Sequence, residues 1–403
     1  MSIINYYLAM KILSISTILP IPGIVPSNDF LFQIYINYRQ LYKDDTIIII
    51  HPNKVNLNLR SVIKRKMRSG KLNKVLTRNI YDFQVEIFSY YSSWSLRNIH
   101  AIITSTVYLL NINRIKSLLS NYNFDIIHAQ YIFPDGLLAY FLHKKYKIPY
   151  VITTHNERYY FDHTISRVIA LRILKSACGV YPINYFNSLY YKSLGLTNIE
   201  LIPLGFYNSF LKKQKELSKQ RISIFTVAEL IKLKNIDKVI LAIGKLAPEY
   251  DITYTIIGKG PEKDNLNKLV DNLGINNIVH FIDAVPHELI ANEMYKHDIF
   301  IMPSYFETFG RVYFEVMAMG IPIICAKNSG IFGIFKDREE GIAVDHNNFA
   351  EIINALKYLI DSPAERKRIG MNGKKLVENY TWENIAKLFH NKYDIIIHAE
   401  NNH

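Results

Sequence analysis

The sequence contains little cysteine and no cluster of residues that would hold a metal. Only two cysteines occur in 403 residues, Cys178 and Cys325, and they lie far apart in apolar segments. We interpret them as buried free thiols of a protein from a reducing compartment, because a disulfide framework needs several cysteines in a short chain. The sequence has neither the Cys/His spacing of a structural zinc site nor an Asp-x-Asp pair that would bind a divalent metal.

Long apolar runs are also missing. The runs TIIII (46–50) and AIITSTVYLL (101–110) are too short to span a bilayer. The first ten residues carry no positive charge, Lys11 interrupts the apolar stretch, and no A-x-A-like cleavage site follows. We therefore predict a first strand rather than a signal peptide. The expected location is cytoplasmic, with peripheral attachment to the inner face of the plasma membrane as a further option.

The chain has enough apolar residues for two cores. Hydrophobic residues make up 49% of the sequence, which excludes a disordered chain. A length of 403 residues favours two domains of about 200 residues each.

The net positive charge is confined to the first half of the sequence. Residues 1–205 contain 23 basic and 10 acidic residues, whereas residues 206–403 contain 25 of each. The segment 60–78 has eight Lys/Arg and no acidic residue. It is either a solvated helix or a contact for an anionic membrane surface, which attracts such clusters by roughly 1 kcal/mol per basic residue. No nucleic-acid-binding motif accompanies this segment, so we expect no nucleic-acid partner.

Short apolar runs alternate with amphipathic segments in two successive series. The predicted strands of the first series are KILSIST (11–17), TIIII (46–50), DIIHAQ (125–130), YVITTH (150–155), GVYPIN (179–184) and LIPLGF (201–206). Those of the second series are ISIFTVAEL (222–230), ITYTIIGKG (252–260), IVHFIDA (278–284), DIFIMPS (298–304) and IPIICAK (321–327). The charged run 211–221 marks the linker. Alternation of this kind predicts an α/β protein with two tandem Rossmann-like doubly wound domains.

The predicted boundaries follow from these two series. The first domain covers residues 1–207, and the second covers 208–379. The segment 380–403 is predicted to be an amphipathic helix that starts after Thr381 as N-cap and packs back on the first domain. Parallel sheets bind ligands beyond the carboxyl ends of their strands, so we expect the ligand cleft between the two domains.

Two glutamates flank a predicted helix start in the second domain. In FETFGRVYFE (306–315), Glu307 lies in the loop after a strand, Gly310 lies where the helix starts, and Glu315 lies about one and a half turns into that helix. Backbone amides at a helix N-terminus bind anions, and carboxylates accept hydrogen bonds from hydroxyls. The segment therefore suits a nucleotide sugar.

This segment resembles the E-x7-E signature of the retaining glycosyltransferases of family 4, which have the GT-B fold. The stretches 128–157, 227–235, 257–304 and 380–395 resemble the same family in the same order, whereas the first hundred residues match only loosely. The resemblance implies a metal-independent, hexosyltransferase-type enzyme with no cofactor. It would move a sugar from a UDP- or GDP-linked donor to an acceptor hydroxyl. We expect a lipid-linked or polymeric glycan acceptor in bacterial surface polysaccharide biosynthesis, in the cell envelope.

The resemblance also assigns residues to roles. It places Glu307 on the transferred sugar, Lys234 on the leaving diphosphate and His155 against the donor sugar. Glu315 would bind the ribose hydroxyls. The remaining expected donor-binding residues are Gly23, Glu229, Gly258, Gly260, Thr308, Phe309, Gly310, Arg311 and Val312.

The sequence departs from the family pattern at one charged position. Glu229 stands where the family usually has an arginine beside Lys234, and a carboxylate there would repel phosphates unless it points away or pairs with a lysine. Two alternatives therefore stay open. One is a different enzyme on the same architecture, such as a nucleotide-sugar epimerase or a phosphorylase. The other is a nucleotide-sugar-binding protein without turnover. A dehydrogenase is disfavoured, because no G-x-G-x-x-G follows the first strand.

Overall fold

The chain forms two α/β units, each built on its own sheet. The structure is a computed structural model that describes residues 9–17, 30–56, 76–80, 82–92, 100–211, 221–328 and 330–401. The first unit contains residues 1–183, 187–202 and 385–403, and the second contains residues 184–186 and 203–384. The boundaries predicted from the sequence, 207/208 and 379/380, lie close to these divisions.

The first unit carries a seven-stranded sheet, in the order β3-β4-β2-β1-β5-β6-β7. Its pairings are parallel except that of β3 with β4, which is antiparallel. The strands are β1 Lys11–Ile15, β2 Thr46–Asn56, β3 Leu76–Ile80, β4 Phe83–Ser92, β5 Ile126–Ala129, β6 Tyr150–Thr154 and β7 Gly179–Pro182. The helices are α1 Phe30–Leu41, α2 His100–Tyr122, α3 Leu137–Tyr146, α4 Thr164–Ser176 and α5 Tyr185–Ser193.

The second unit carries a six-stranded parallel sheet, in the order β10-β9-β8-β11-β12-β13. The strands are β8 Ile222–Val227, β9 Ile252–Ile257, β10 Val279–Ile282, β11 Ile299–Met302, β12 Ile323–Ala326 and β13 Ile342–Val344. The helices are α6 Ile236–Leu246, α7 Lys263–Leu273, α8 His287–Met294, α9 Arg311–Ala318, α10 Phe349–Asp361 and α11 Pro363–Val377. A last helix, α12 Trp382–Asn401, begins in this unit and belongs to the first unit from residue 385 onward.

Runs of β-branched residues explain why the central strands form. Strand β12 is buried at every residue, as are β5, β6 and β11, which suits strands that have helices on both faces. The helices instead bury one stripe. In α6 most buried residues recur at a spacing of three and four, at Ile236, Val239, Ile240, Ile243 and Leu246, and Ala242 is buried beside them. The predicted α/β class with two doubly wound sheets is confirmed.

The structure differs from the predicted strands in three places. The run 201–206 is not a strand, because only Phe206 forms a bridge, to Thr381, and a Cβ on Gly205 would lie 2.5 Å from the Trp382 ring. Strand β13 has only three residues and was too short to show a pattern. The antiparallel pair β3–β4 was also not predicted. Cys178 is half-buried rather than buried, while Cys325 is buried as predicted.

Helix α12 is capped at its start and contacts residues of the first unit. The Thr381 hydroxyl accepts a hydrogen bond from the Asn384 amide at 3.2 Å, which confirms Thr381 as the N-cap. From residue 385 onward the helix belongs to the first unit. There the Tyr393 hydroxyl lies 2.6 Å from Nδ1 of His128. No helix within the described ranges is both long and apolar enough to cross a membrane.

Candidate active site

The second sheet changes its winding direction between β8 and β11. The chain passes from β8 outward to β9 and β10, then returns to β11 on the other side of β8. Loops that leave the carboxyl ends of strands at such a point diverge, and ligands of doubly wound sheets bind in the crevice between them. A ligand site in this unit is therefore expected at the loops after β8 and β11.

A lysine and a glutamate meet at this point. Lys234 ends a short 3₁₀ turn after β8, and Glu307 lies in the loop after β11. The Lys234 ammonium is 2.5 Å from Oε2 of Glu307, with the two side chains 16% and 17% exposed. The largely shielded ion pair brings together two residues that the sequence predicted separately, and it leaves the carboxylate and the ammonium next to each other at the edge of the sheet.

Backbone contacts hold the two loops in this relation. Asn235 takes a left-handed conformation, with φ of 53°, and its buried side-chain amide donates to the Pro303 carbonyl at 2.9 Å. The amide of Tyr305 donates to the Leu233 carbonyl at 2.8 Å. Since each loop is bonded to the other on both sides of Lys234, the position of the ammonium depends on the backbone and not only on its ionic partner.

Gly310 permits the turn from the β11 loop into α9. Its φ is 78°, and a Cβ at this position would lie 2.6 Å from the Tyr313 ring and 2.9 Å from Cγ of Glu307. A side chain would therefore displace Glu307. No side chain caps α9 at this residue. The first-turn amides of a helix have no partner within the helix, which makes this end suited to a phosphate or another anion.

The residues next to Gly310 differ in burial and in the contacts they make. The Phe309 side chain is buried, with its ring 5.0 Å from that of Phe314. The Thr308 carbonyl accepts a hydrogen bond from the Asn184 side chain at 3.1 Å. Arg311 and Val312 are half-buried in the first turn of α9. Their predicted part in donor binding stays a prediction.

Glu315 is buried and has a histidine partner that sequence reasoning missed. It lies in the second turn of α9, where its Oε1 is 3.2 Å from Nε2 of His287, the first residue of α8. The imidazole of His287 is also near two rings, 4.8 Å from Tyr207 and 5.8 Å from Phe210 between centroids. A histidine soon after a predicted strand, in IVHFIDAVPH, was the available signal for this residue.

Gly258 and Gly260 allow the turn after β9 to touch the turn after β8. A Cβ on Gly258 would overlap the Ala228 carbonyl oxygen, and one on Gly260 would lie 2.4 Å from the Leu230 carbonyl oxygen. The Leu230 amide also donates to the Lys259 carbonyl at 2.9 Å. The two glycines therefore shape the loop that contains Glu229, whose side chain is exposed. Lys234 has Glu307 as its ionic partner.

In the first unit, His155 directly follows β6 and is buried. Burial lowers its pKa to about 3, so the imidazole is neutral at pH 7. The ring stacks on Tyr131, with centroids 4.5 Å apart. The His155 amide donates to Oε2 of Glu157 at 3.2 Å, and its carbonyl accepts from the Asn187 side chain. These contacts fix the backbone at the carboxyl end of the strand.

Glu157 is a second buried group that sequence reasoning missed. Its other oxygen, Oε1, accepts a hydrogen bond from the Ile132 amide at 2.6 Å. Burial raises its pKa to about 8, since desolvation disfavours the carboxylate more than the two amide bonds favour it. Burial likewise raises the pKa of nearby Asp135 well above its usual range. Gly23 and most of the basic segment 60–78 lie outside the described residues.

Two family models match this chain. The model of glycosyl transferases group 1 matches residues 208–376, and the model of glycosyltransferase family 4 matches residues 84–192. Together the two ranges cover more than half of the chain. The first range contains Lys234, Gly310 and both glutamates of the signature, and the second contains His155.

Curated relatives and a solved structure agree with these models. An uncharacterised glycosyltransferase of Methanocaldococcus jannaschii is 27% identical over 290 residues, 68% of this chain and 77% of that protein. The alpha-monoglucosyldiacylglycerol synthase of Acholeplasma laidlawii is 24% identical over 307 residues, 69% of this chain and 77% of that protein. Two further curated relatives match over 46% and 44% of their own length.

Among solved structures, that of Anabaena HepE in complex with UDP superposes with a TM-score of 0.69 at 16% identity, over 96% of this chain and 100% of that one. Two parallel-sheet domains with this similarity define the GT-B fold. The chain is a GT-B glycosyltransferase that carries a group 1 domain and a family 4 domain.

Proposed function

We propose that the protein is a retaining, metal-independent glycosyltransferase that moves a hexose from a nucleotide sugar to an acceptor hydroxyl. The observation that carries this proposal is the Lys234–Glu307 contact of 2.5 Å at the winding reversal of the second sheet, directly before the α9 N-terminus. A cation, a carboxylate and a helix N-terminus in one place match the groups of a sugar diphosphate. The similar HepE structure is a complex with UDP, which supports a uridine donor.

In this proposal the chain stabilises the leaving group by charge. The nucleoside diphosphate gains negative charge as the glycosidic bond breaks, and stabilising developing charge is often the largest catalytic contribution. The Lys234 ammonium and the first-turn amides of α9 would take the phosphates. Glu307 would accept hydrogen bonds from sugar hydroxyls, Glu315 from the ribose, and the neutral His155 imidazole would contact the sugar. We favour front-face attack, in which the leaving diphosphate takes the acceptor proton.

The acceptor is proposed to be a lipid-linked or polymeric glycan, in bacterial cell-envelope polysaccharide biosynthesis. The net positive charge of residues 1–205 and the name of the Acholeplasma laidlawii relative, which denotes a glycolipid synthase, support a lipid acceptor. We propose that the protein works at the inner face of the plasma membrane, where the basic segment 60–78 would contact anionic lipids.

One substitution tests the site. Glu307→Ala should lower sugar transfer by about 100-fold, which corresponds to about 2.7 kcal/mol of transition-state stabilisation, with little change in the melting temperature. Glu288→Ala, at an exposed glutamate of the same unit, serves as the control. Activity of Glu307→Ala within a few-fold of the unmodified protein would show that the site is misassigned.

The donor is found by thermal stabilisation with a panel of UDP- and GDP-sugars, because a ligand that binds only the folded state raises the melting temperature. A transferase releases nucleoside diphosphate only when acceptor is present. Release without acceptor, or conversion of one nucleotide sugar into another, would point to an epimerase or a phosphorylase.

Glu229 favours one second candidate, a nucleotide-sugar-binding protein without turnover. Its exposed carboxylate stands where the resemblance leads us to expect an arginine near the diphosphate. Calorimetry that detects donor binding, combined with the absence of transfer to any acceptor tested, would favour this candidate over the enzyme. If the Glu229→Arg variant transfers sugar and the unmodified protein does not, the carboxylate at position 229 is what prevents turnover.

A further inference from the structure

Helix α4 of the first unit exposes apolar side chains on its outer face. Ile165 and Val168 are 59% and 55% exposed, and Tyr159, in the 3₁₀ turn just before the helix, is 53% exposed. A separation of three residues places Ile165 and Val168 on one side of the helix. Single exposed apolar residues are common on protein surfaces, but three within ten residues of the chain form a local patch.

This patch is not the buried stripe by which the helix packs on its unit. The residues of α4 that face the core are Ser166, Ala170, Ile173 and Leu174, and the latter three belong to the first unit's hydrophobic core. The helix is therefore already anchored on one side. Its outer apolar residues Ile165 and Val168 are not part of that core, and their exposure to water is unfavourable by about 25 cal/mol per Å².

The patch is surrounded by positive charge. Helix α4 exposes Arg167, Arg172 and Lys175 and contains no acidic residue, while Asp162 is the exposed acidic residue just before it. Apolar side chains bordered by basic ones are typical of a helix that lies in the headgroup region of an anionic bilayer, where both contributions act together. A second protein would need an acidic rim and a complementary apolar pocket.

We propose that the α4 surface, defined as Tyr159, Ile165, Arg167, Val168 and Arg172, binds an anionic phospholipid membrane. The apolar side chains enter the boundary between headgroups and acyl chains, and the arginines pair with lipid phosphates. None of these five residues belongs to the segment 60–78 or to the residues assigned to the candidate active site. It requires no assumption about the donor, the acceptor or the chemistry.

The test is sedimentation of the full chain with two kinds of vesicle. One kind is phosphatidylcholine alone, and the other is phosphatidylcholine with 30 mol% phosphatidylglycerol (roughly a third of the lipid, within the range where surface potential attracts basic residues). We expect binding only to the second kind and weaker binding at high salt. No binding of the unmodified chain to either vesicle would overturn the proposal.

Two double variants separate the contributions of the patch. Arg167→Glu/Arg172→Glu should weaken vesicle binding by more than about tenfold, since it reverses two charges at roughly 1 kcal/mol per basic residue. Ile165→Ser/Val168→Ser should weaken it to a similar degree through lost apolar contact. The controls are Ile395→Ser, at an exposed isoleucine of α12, and Lys367→Glu, at an exposed lysine of α11.

The result also discriminates between surfaces and partners. Circular dichroism and thermal melts confirm that the variants are folded, which the exposure of all four side chains leads us to expect. If both double variants bind vesicles as well as the unmodified chain does, the proposal is overturned. If binding is lost only when charges within 60–78 are reversed, the membrane contact belongs to that segment. Concentration-dependent self-association that the serine variant abolishes, without vesicle binding, would assign the patch to a protein interface instead.

Discussion

His287 illustrates how a single side chain can prepare a binding residue. Glu315 is buried, and an uncompensated buried carboxylate is costly, so the 3.2 Å contact with His287 stabilises its orientation. If Glu315 binds the ribose, His287 acts as a positioning residue that does not itself have to touch the donor. Its contribution should then appear in donor affinity rather than in the chemical step.

The prediction for His287 is a split between kinetic constants. His287→Ala should raise the donor KM about fivefold, equivalent to about 1 kcal/mol for one hydrogen bond, and change kcat by less than about twofold. His287→Gln, which can still donate a hydrogen bond, should recover part of the loss. His280→Ala, at an exposed histidine of β10, is the control. A fall in kcat with KM unchanged would contradict the positioning role.

Glu157 gives a pH prediction for stability. Its pKa is raised to about 8 in the folded state from an ordinary value near 4.5, so the folded chain keeps a proton that the unfolded chain has released. The associated stability is complete below about pH 4.5 and is lost as the pH rises toward 8. Buried His155 and His128 act in the opposite direction below about pH 6.5, because burial lowers both pKa values to about 3.

Urea unfolding between pH 6 and pH 8 tests this assignment. The unmodified protein should lose roughly 2 kcal/mol of unfolding free energy over this range through Glu157, and Glu157→Gln should lose markedly less. Glu249→Gln, at an exposed glutamate, should behave like the unmodified protein. Identical slopes in Glu157→Gln and the unmodified protein would show that Glu157 is already ionised at pH 6.

At the scale of elements, the turn after β9 has a conformation that only glycine accepts readily. Gly258 has a φ of 149° and lies against the Ala228 carbonyl. Gly258→Ala should therefore destabilise the second unit by about 1–3 kcal/mol and weaken donor binding, as the loops after β8 and β9 move apart. Differential scanning calorimetry measures the first effect and calorimetric titration the second.

The matched control is Gly244→Ala within helix α6. There a Cβ would meet its nearest neighbours at 3.5 Å, which is ordinary van der Waals contact. Alanine in a helix interior is favoured over glycine by up to about 1 kcal/mol, so this variant should be equally stable or more stable. Equal effects of the two substitutions would refute the explanation from close approach.

The elements differ in how far the sequence could predict them. Buried strands such as β5 and β12 were found because runs of β-branched residues flanked by turns have few other interpretations. The run 201–206 is also apolar but contains Pro203 and Gly205, and Phe206 is its one residue that forms a bridge. Lys234 and Glu307 were each expected at the site. Their direct contact depends on two loops 73 residues apart, which spacing does not encode.

At the scale of the whole molecule, the first unit is completed by a helix from the far end of its sequence. His390 of α12 stacks on Tyr42, and the Tyr38 hydroxyl lies 2.9 Å from its Nδ1 and 2.8 Å from the Asp45 carboxylate. With Tyr393 against His128, these contacts bind α12 to strands and helices made much earlier in the chain.

Removal of residues 385–403 should therefore destabilise the first unit selectively. In limited proteolysis the truncated chain should lose its N-terminal part at low protease concentration, while a fragment close to 203–384 persists. Ile395→Ser, at an exposed position of the same helix, should leave the digestion pattern unchanged. A truncated chain as resistant as the full chain would show that the helix is dispensable for folding.

The discontinuity of the first unit has a consequence for biosynthesis. Domains generally fold as units during synthesis. Residues 1–202 of the first unit are made before residues 203–384, but α12, which completes this unit, is made only after them. The polar groups that α12 contacts, buried His128 and half-buried Asp45 among them, therefore have no α12 partner while the second unit is being made. The second unit, nearly continuous in sequence, has the opportunity to reach its native state before the first unit is complete.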